Sequence, residues 1–318
     1  MRRLKNNLSK ELMSCLIPVL RRLPPRTAHR IVARIGRIEY RLLPRLRRGC
    51  DSAVERGSLY FGQRWDRPEL GVELAGNMAR WRARDILLDR VPRDELTNII
   101  HVSGRENLDR AHALGEGVVL LGNHFGAHMT APHWLSRENY HVRLYMERPR
   151  RVSRFLSRQF QAEGPLGQKG LFISRGAGTT EGAAAVMKAA RVLRAGMIVY
   201  LAGDVRWNGA HTAPGRFLGK MFQFSTTWVL LAAMTGAPVV PVFCVMNEDG
   251  SHLLEFLPYY YIPEDVKRTG SAAVWVQKCL DTIEGYVREY PSNSNDYFFW
   301  DDPEWDKPAT STIIAGAV

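Results

Sequence analysis

A short apolar run, Gly117-Val-Val-Leu-Leu-Gly122, leads directly into a polar turn, Asn123-His-Phe-Gly-Ala-His128. An apolar run of this length, bounded by turn residues, is typical of a strand that is buried on both faces. The turn places a histidine just past the end of that strand, where parallel sheets hold their reactive groups. This segment therefore predicts a parallel sheet with polar side chains gathered at its carboxyl edge.

The same alternation of strand and helix continues along the chain. Helices are predicted from Thr179 or Thr180 to Arg194, at Thr226–Thr235 and at Ser271–Tyr290, and strands at Val142–Met146, Leu171–Ser174, Met197–Ala202, Ala237–Val245 and Leu253–Leu257. Apolar strands separated by helices indicate an α/β fold, an αβα sandwich around a largely parallel central sheet. Residues 51–100 are predicted to be helical and polar.

All of the net positive charge lies near the N-terminus. The chain has 318 residues and a formal net charge of +12. Residues 1–50 hold 14 Lys and Arg against two acidic residues, whereas the two signs cancel in the remainder. A basic segment on a neutral body favours a partner that carries phosphate, either nucleic acid or anionic lipid.

An amphipathic helix is predicted within this basic segment. Six arginines recur at steps of three or four residues along one helical face: Arg26, Arg30, Arg34, Arg37, Arg41 and Arg45. Apolar side chains occupy the opposite face: Ala28, Ile31, Val32, Ile35, Ile38 and Leu42. Such a helix can lie in a bilayer interface, so residues 1–48 are expected to contact an anionic membrane surface. A surface helix packed on the core gives the same pattern, whereas nucleic acid is disfavoured by the neutral body.

The chain is predicted to divide into a basic membrane-associating helical region (1–50), an α/β domain (51–305) and a loose tail (306–318). No apolar run reaches the roughly 20 residues of a membrane-spanning helix. The N-terminal run Leu12–Leu20 is about half that length and lacks a small-residue cleavage site, which argues against a secretory signal. The cysteines lie far apart and suit a reducing cytosol: Cys15, Cys50, Cys244 and Cys279.

Two polar clusters follow predicted strands and are candidates for chemistry. His124 follows the first buried strand, and Asp204 follows Met197–Ala202. A neutral imidazole can take a proton from an attacking hydroxyl, and an acid is needed to orient it. The two residues are therefore predicted to act together, His124 as a base and Asp204 as its partner.

Several blocks, in order, resemble the bacterial lipid A biosynthesis acyltransferases, the late lauroyl and myristoyl transferases of the lysophospholipid acyltransferase superfamily. Leu121-Gly-Asn-His-Phe-Gly-Ala127 is similar to the family's catalytic block. Similar blocks follow at Tyr145-Met-Glu-Arg-Pro149, Phe155–Phe160, Leu201–Asp204, Arg216-Phe-Leu-Gly219, Thr235–Phe243 and Tyr297-Phe-Phe-Trp300. The resemblance spans residues from about 15 to 305.

The resemblance implies transfer of a fatty acyl chain from a thioester to a hydroxyl of a membrane glycolipid or lysolipid, with His124 as the general base. It implies acyl-carrier protein or coenzyme A as the donor, no metal and no bound cofactor, and a peripheral position on the cytoplasmic face of the bacterial inner membrane. Arg148 and Arg216 are predicted to bind phosphate, since guanidinium groups suit phosphate oxygens. Backbone N–H groups near Gly126 and the start of the next helix are predicted to bind the oxyanion.

One position departs from the family's pattern. The family has an acidic residue five positions after the histidine, and this chain has Met129 there. A thioether cannot stabilise an imidazolium ion. Another acid is therefore expected to serve, with Asp204 the best placed and Glu147, also a candidate substrate-binding residue, the second. The alternative is a non-catalytic, membrane-associated protein on an acyltransferase scaffold.

Two other classes are weighed against this interpretation. Gly176-Ala-Gly-Thr-Thr-Glu-Gly182, with Asp204 further on, imitates the dinucleotide fingerprint of an NAD-binding oxidoreductase, but one residue too many separates the last two glycines. His124 and His128, with His133 nearby, have the spacing of a zinc site but lack the glutamate of the H-E-x-x-H motif. Neither pattern is favoured.

Overall fold

The computed structural model describes residue 16 and residues 18–88, 91–146, 172–173, 179–207, 209, 211–294 and 297–300. Its helices are α1 (Pro25–Leu42), α2 (Pro44–Phe61), α3 (Arg67–Leu88), α4 (Arg93–Ile99), α5 (Arg105–Ala113), α6 (Thr130–Arg137), α7 (Thr179–Arg194), α8 (Thr227–Thr235), α9 (Val266–Thr269) and α10 (Ala272–Glu289). Its strands are β1 (Ile100–Ser103), β2 (Val118–Gly122), β3 (Val142–Tyr145), β4 (Phe172–Ile173), β5 (Ile198–Ala202), β6 (Thr212–Phe217), β7 (Lys220–Ser225), β8 (Val239–Met246) and β9 (His252–Phe256). Short 3-10 helices cover Pro291–Asn293 and Tyr297–Phe299.

Seven strands form one sheet in the order β1-β9-β8-β2-β5-β3-β4. The pairs that join β8, β2, β5, β3 and β4 are all parallel, while β9 runs antiparallel to β8. Strand β1 is parallel to β9. The prediction of a largely parallel central sheet is confirmed, and the predicted strands and helices are confirmed with bounds that shift by one or two residues.

Helices cover both faces of this sheet, as the period-two alternation of strand side chains requires. Val119 and Leu121 lie in a core cluster shared with α7, α8 and α10. Val118 and Leu120 lie in a second cluster shared with α4, α5 and α6. Every residue of β2 is buried, as its unbroken apolar sequence predicts. The αβα sandwich predicted from the sequence is therefore confirmed.

The basic helix predicted near the N-terminus is α1, and it packs along α3 through small residues. Pro25 begins it, a position that proline favours because the missing N–H would have no helical partner. Ala28 and Val32 are buried in a cluster with side chains of α3. A Cβ atom on Gly36 would lie 2.4 Å from the carbonyl oxygen of Ala75, so the two helix backbones approach closely. Part of the apolar face predicted to meet lipid therefore meets protein.

The division predicted at residue 50 falls inside a helix. Helix α2 runs without a break from Pro44 to Phe61. Its Arg56 donates two hydrogen bonds, of 3.1 and 2.7 Å, to the carbonyl oxygen of Phe298. The N-terminal helices are therefore joined to the C-terminal part of the α/β domain. The predicted tail, 306–318, lies outside the described residues.

Two features were not predicted. Strand β1 adds an edge to the sheet beside β9. Strands β6 and β7 form a separate antiparallel hairpin with partners from Thr212↔Ser225 to Phe217↔Lys220. Buried aromatic side chains of this hairpin, Phe217 and Phe224, pack against the C-terminal Trp300.

Candidate functional site

Two neighbouring parallel strands bring His124 and Asp204 together. Strand β2 pairs with β5 in a register that sets Gly122 opposite Ala202, so both chains leave the sheet at the same edge. His124 and Asp204 follow two residues later on their respective strands. His124 Nδ1 lies 2.9 Å from Asp204 Oδ1, although 80 residues separate them in sequence. The predicted partnership is thus present as a direct contact.

The second carboxylate oxygen of Asp204 is also bound. Asp204 Oδ2 accepts a hydrogen bond of 2.9 Å from the backbone N–H of His124 and one of 2.5 Å from the hydroxyl of Tyr297. The side chain is fully buried, whereas that of His124 is 29% exposed. The carboxylate of Asp204 therefore contacts His124 from the protein interior, whereas part of the imidazole is exposed at the surface of the site.

Asp204 stays ionised in this buried position. Burial by itself raises the pKa of the carboxyl, but the charge of His124 and the hydrogen bonds from His124 and Tyr297 outweigh it and hold the pKa below its usual range. Because Nδ1 of His124 donates to this carboxylate, Nε2 is the nitrogen that can act as a base.

Both carboxylate oxygens of Asp204 already accept hydrogen bonds within the protein, which leaves this residue unsuited to bind a ribose and argues against the dinucleotide interpretation. Most of the glycine-rich segment 176–182 lies outside the described residues.

His128 lies beside His124 on the same turn. Their rings meet edge to face with centroids 5.2 Å apart. Burial, followed by the charges of Arg84 and His124, lowers the pKa of His128 well below its usual value, so this ring is neutral at pH 7. Within the part of the chain that the structure describes, no three His, Cys, Asp or Glu side chains converge as a metal-ligand set.

The turn that carries His124 depends on Gly126 for its shape. Gly126 has φ +54°, and a Cβ atom there would lie 1.9 Å from the carbonyl oxygen of Cys244. Only glycine fits such a site. The N–H of Gly126 donates to the carbonyl oxygen of Asn293 at 2.9 Å, which ties the turn to the C-terminal part of the domain.

The neighbouring amides are engaged in the same way. The N–H of Phe125 donates to the side chain of Asn123, and the N–H of Ala127 donates to the carbonyl oxygen of Cys244. The amide of His124 is bound to Asp204 and Tyr297. The amides of residues 124–127 therefore all have acceptors within the protein, and oxyanion binding by amides near Gly126 and at the start of the next helix stays a prediction.

Met129 occupies the position where the family has an acid. It is 5% exposed and belongs to the apolar cluster around β2 and α6. Its thioether is therefore a core side chain, and the contact with Nδ1 of His124 comes from Asp204 instead.

The remaining predicted site residues are placed elsewhere or not described. Alternation along β6 buries Gly215 and Phe217 and turns Arg216 to the exposed side of the hairpin. The backbone of Arg216 pairs with the side chain of Gln277 on α10. Because Phe217, not Arg216, faces Tyr297, the structure does not bring Arg216 to the His124–Asp204 pair. Glu147 and Arg148 lie outside the described residues.

Tyr297 is the site residue that sequence reasoning missed. It lies 173 residues from His124 and contacts both members of the pair. The only sequence signal was its place in the aromatic block Tyr297–Trp300, which predicts packing and not a hydrogen bond to a particular carboxylate.

These features define an α/β protein whose site pairs a partly exposed histidine with a buried carboxylate at the carboxyl edge of a parallel sheet. The chain belongs to the bacterial lipid A biosynthesis acyltransferase family, whose model matches residues 12–300. It is accordingly an acyltransferase that transfers acyl groups to lipid. A comparison with curated proteins finds no match. Among the described residues, no helix combines the length and apolarity needed to cross a membrane.

Proposed function

We propose that this protein is an O-acyltransferase that moves a fatty acyl chain from a thioester donor to a hydroxyl of a membrane glycolipid or lysolipid. The observation that carries the proposal is the 2.9 Å contact between His124 Nδ1 and the buried carboxylate of Asp204. This contact fixes the imidazole with Nδ1 protonated, which leaves Nε2 as a base for the acceptor hydroxyl.

The proposed reaction uses only the side chains of His124 and Asp204 and the two substrates. Nε2 of His124 takes the proton of the acceptor hydroxyl while the oxygen attacks the thioester carbonyl carbon. Collapse of the tetrahedral intermediate breaks the carbon–sulfur bond, and the leaving thiolate takes the proton back from Nε2. The ionised carboxylate of Asp204 stabilises the imidazolium ion that exists between these steps. The reaction needs no bound cofactor, and the donor is acyl-carrier protein or coenzyme A.

The proposal includes an anionic membrane as a partner, with the protein peripheral on the cytoplasmic face of the bacterial inner membrane. Support comes from the side of α1 that faces away from α3. Ile38 and Leu42 are 50% and 72% exposed there. Exposed arginines run beside them on the same helix: Arg30, Arg34 and Arg41. Aliphatic side chains next to guanidinium groups suit insertion at the level of lipid phosphates.

The membrane surface is tested with point variants, because deleting residues 1–48 would expose the face of α3 that α1 covers. Ile38→Glu combined with Leu42→Glu should reduce sedimentation with vesicles of phosphatidylglycerol and phosphatidylethanolamine. Val274→Glu is the matched control, since Val274 is 66% exposed on α10. Equal sedimentation of both variants and the wild type would contradict the assignment of α1.

The second candidate function, a non-catalytic membrane-associated protein, is favoured by Met129 alone. In that case the family's missing acid would mark a retired site. The contact between His124 and Asp204 opposes it, because a retired site has no need to keep a buried ionised carboxylate against its histidine.

The experiment that separates the two functions is acyl transfer read by mass spectrometry. Purified protein is incubated with acyl-carrier-protein and coenzyme A thioesters and a bacterial lipid extract. A lipid heavier by one acyl group should form with the wild type and not with His124→Ala. His141→Ala, which changes an exposed histidine before β3, should retain activity. Absence of product from the wild type with either donor, while vesicle binding is intact, would favour the non-catalytic function.

A further inference from the structure

The hydroxyl of Tyr297 joins His124 and Asp204 from a third direction. It donates to Asp204 Oδ2 at 2.5 Å and accepts from the backbone N–H of His124 at 3.0 Å. A hydroxyl can donate one hydrogen and accept through its lone pairs, so both contacts are satisfied at once. We propose that Tyr297 is a positioning residue, which holds the carboxylate of Asp204 in the orientation that the imidazole requires. This inference rests on the proposed function of the pair.

Tyr297 cannot itself contact an acceptor lipid, because it is 1% exposed. Its ring packs against Phe217 of the hairpin and against Trp300, with ring centroids 5.1 and 5.2 Å away. Its effect on the reaction must therefore pass through Asp204.

The segment that carries Tyr297 is held from two sides. Arg56 of α2 binds the carbonyl oxygen of Phe298, the next residue along the chain. Asn77 of α3 donates to the carbonyl oxygen of Ser292 at 3.1 Å, and Asn293 accepts the N–H of Gly126 on its carbonyl oxygen. The N-terminal helices and the turn after β2 thus fix the position of the hydroxyl.

The role of the Tyr297 hydroxyl follows from the different contacts of the two carboxylate oxygens of Asp204. Oδ1 meets the imidazole, and Oδ2 is held by the hydroxyl of Tyr297 and by the amide of His124. Hydrogen bonds to a buried carboxylate spread its negative charge and lower its affinity for a proton. Without the hydroxyl, the carboxylate would hold an imidazolium more tightly and would be less constrained in rotation.

Tyr297→Phe removes the hydroxyl and keeps the ring. We expect kcat to fall about tenfold or more, since a hydrogen bond to an ionised group is lost from a general-base site. KM should stay within about twofold, because the residue is buried away from the substrate. The acid limb of the pH–rate profile should move to higher pH by about half a unit or more as the carboxylate binds the imidazolium more tightly.

Tyr60→Phe is the matched control. The hydroxyl of Tyr60 donates to a carboxylate oxygen of Glu284 at 2.6 Å, the same type of bond outside the pair. This variant should keep kcat and the pH profile of the wild type. A thermal unfolding midpoint for each variant separates a loss of fold from a loss of positioning.

A readout without substrate makes the inference independent of the reaction. The pH at which His124 becomes reactive toward diethyl pyrocarbonate, measured by peptide mass spectrometry, should rise in Tyr297→Phe and stay unchanged in Tyr60→Phe. If the wild type transfers no acyl group, the proposed function fails, while this labelling still decides the role of Tyr297. An unchanged labelling profile together with kcat within about twofold of wild type would overturn the inference.

Discussion

A buried pair of histidines between α1 and β9 predicts that the protein loses stability in mild acid. His29 and His252 are fully buried and meet edge to face with ring centroids 4.9 Å apart. Neither ring nitrogen of either residue has a hydrogen-bond partner among the described residues. Burial, followed by the charge of Arg80, lowers the pKa of His29 from 6.5 to about 3. His252 is lowered in the same direction, chiefly by burial.

The sign and size of this loss of stability follow from the difference in the pKa of His29 between the folded and unfolded states. The unfolded chain binds a proton at His29 below pH 6.5, while the folded chain resists it down to about pH 3. The stabilisation is present above pH 6.5 and is lost as the pH falls toward 3. Between pH 7 and pH 5, His29 alone should cost about 2 kcal/mol of unfolding free energy.

Urea unfolding followed by tryptophan fluorescence at pH 7 and pH 5 measures this loss. His29→Leu removes the titrating group and keeps an apolar side chain, so its loss between the two pH values should be smaller than that of the wild type by about 2 kcal/mol. His141→Leu, at an exposed histidine, should behave as the wild type. Equal losses in the wild type and in His29→Leu would refute the reasoning.

Substitutions of Met129 and Gly126 test which residues of the turn after β2 support stability and which support catalysis. Met129→Glu should lower the free energy of unfolding in urea by about 3 kcal/mol or more, because it buries a charge among apolar side chains. It should not raise kcat, because Asp204 already binds Nδ1 of His124. A higher kcat would contradict this. Gly126→Ala should destabilise the protein by about 2 kcal/mol or more in the same assay, because its Cβ would meet the carbonyl oxygen of Cys244. An unfolding free energy equal to that of the wild type would show that the turn adapts.

Much of the sheet could be predicted from the sequence because its strands are apolar without interruption. Gly117–Gly122 and Met197–Ala202 each read as a buried strand, and neighbouring parallel strands end at one edge. That reasoning was enough to place His124 with Asp204. It could not supply the antiparallel direction of β9, which depends on strand pairing and not on local pattern.

The β6–β7 hairpin was missed because its sequence works against strand prediction. Thr212–Phe217 contains Pro214 and Gly215, and both residue types are disfavoured in strand interiors. The hairpin forms because the pairing of β6 with β7 and the packing of Phe217 on Tyr297 outweigh that local preference.

The apolar face of α1 was predicted, but its partner was not. Periodicity identifies which residues share a face, and it cannot distinguish lipid from protein as the neighbour. Gly36 and the buried Ala28 decide the question in three dimensions, because small residues allow α3 to approach. Only the stripe with Ile38 and Leu42 stays exposed.

Tyr297 and the engaged amides of the turn were beyond sequence reasoning for a similar reason. The bond from Tyr297 to Asp204 spans 93 residues, and no spacing or periodicity encodes it. The acceptor of the Gly126 amide is Asn293, another distant residue.

We propose that Asp204 serves as the acid that this chain lacks at Met129. The most direct test is the kcat of acyl transfer by Asp204→Asn, which keeps the shape of the side chain and removes its charge. We expect kcat to fall about 10²–10⁴-fold. The unfolding midpoint should also fall, because His124 and Tyr297 stabilise the ionised carboxylate in the folded state, but the variant should remain folded at the assay temperature. A folded Asp204→Asn protein with kcat within a few fold of the wild type would contradict it.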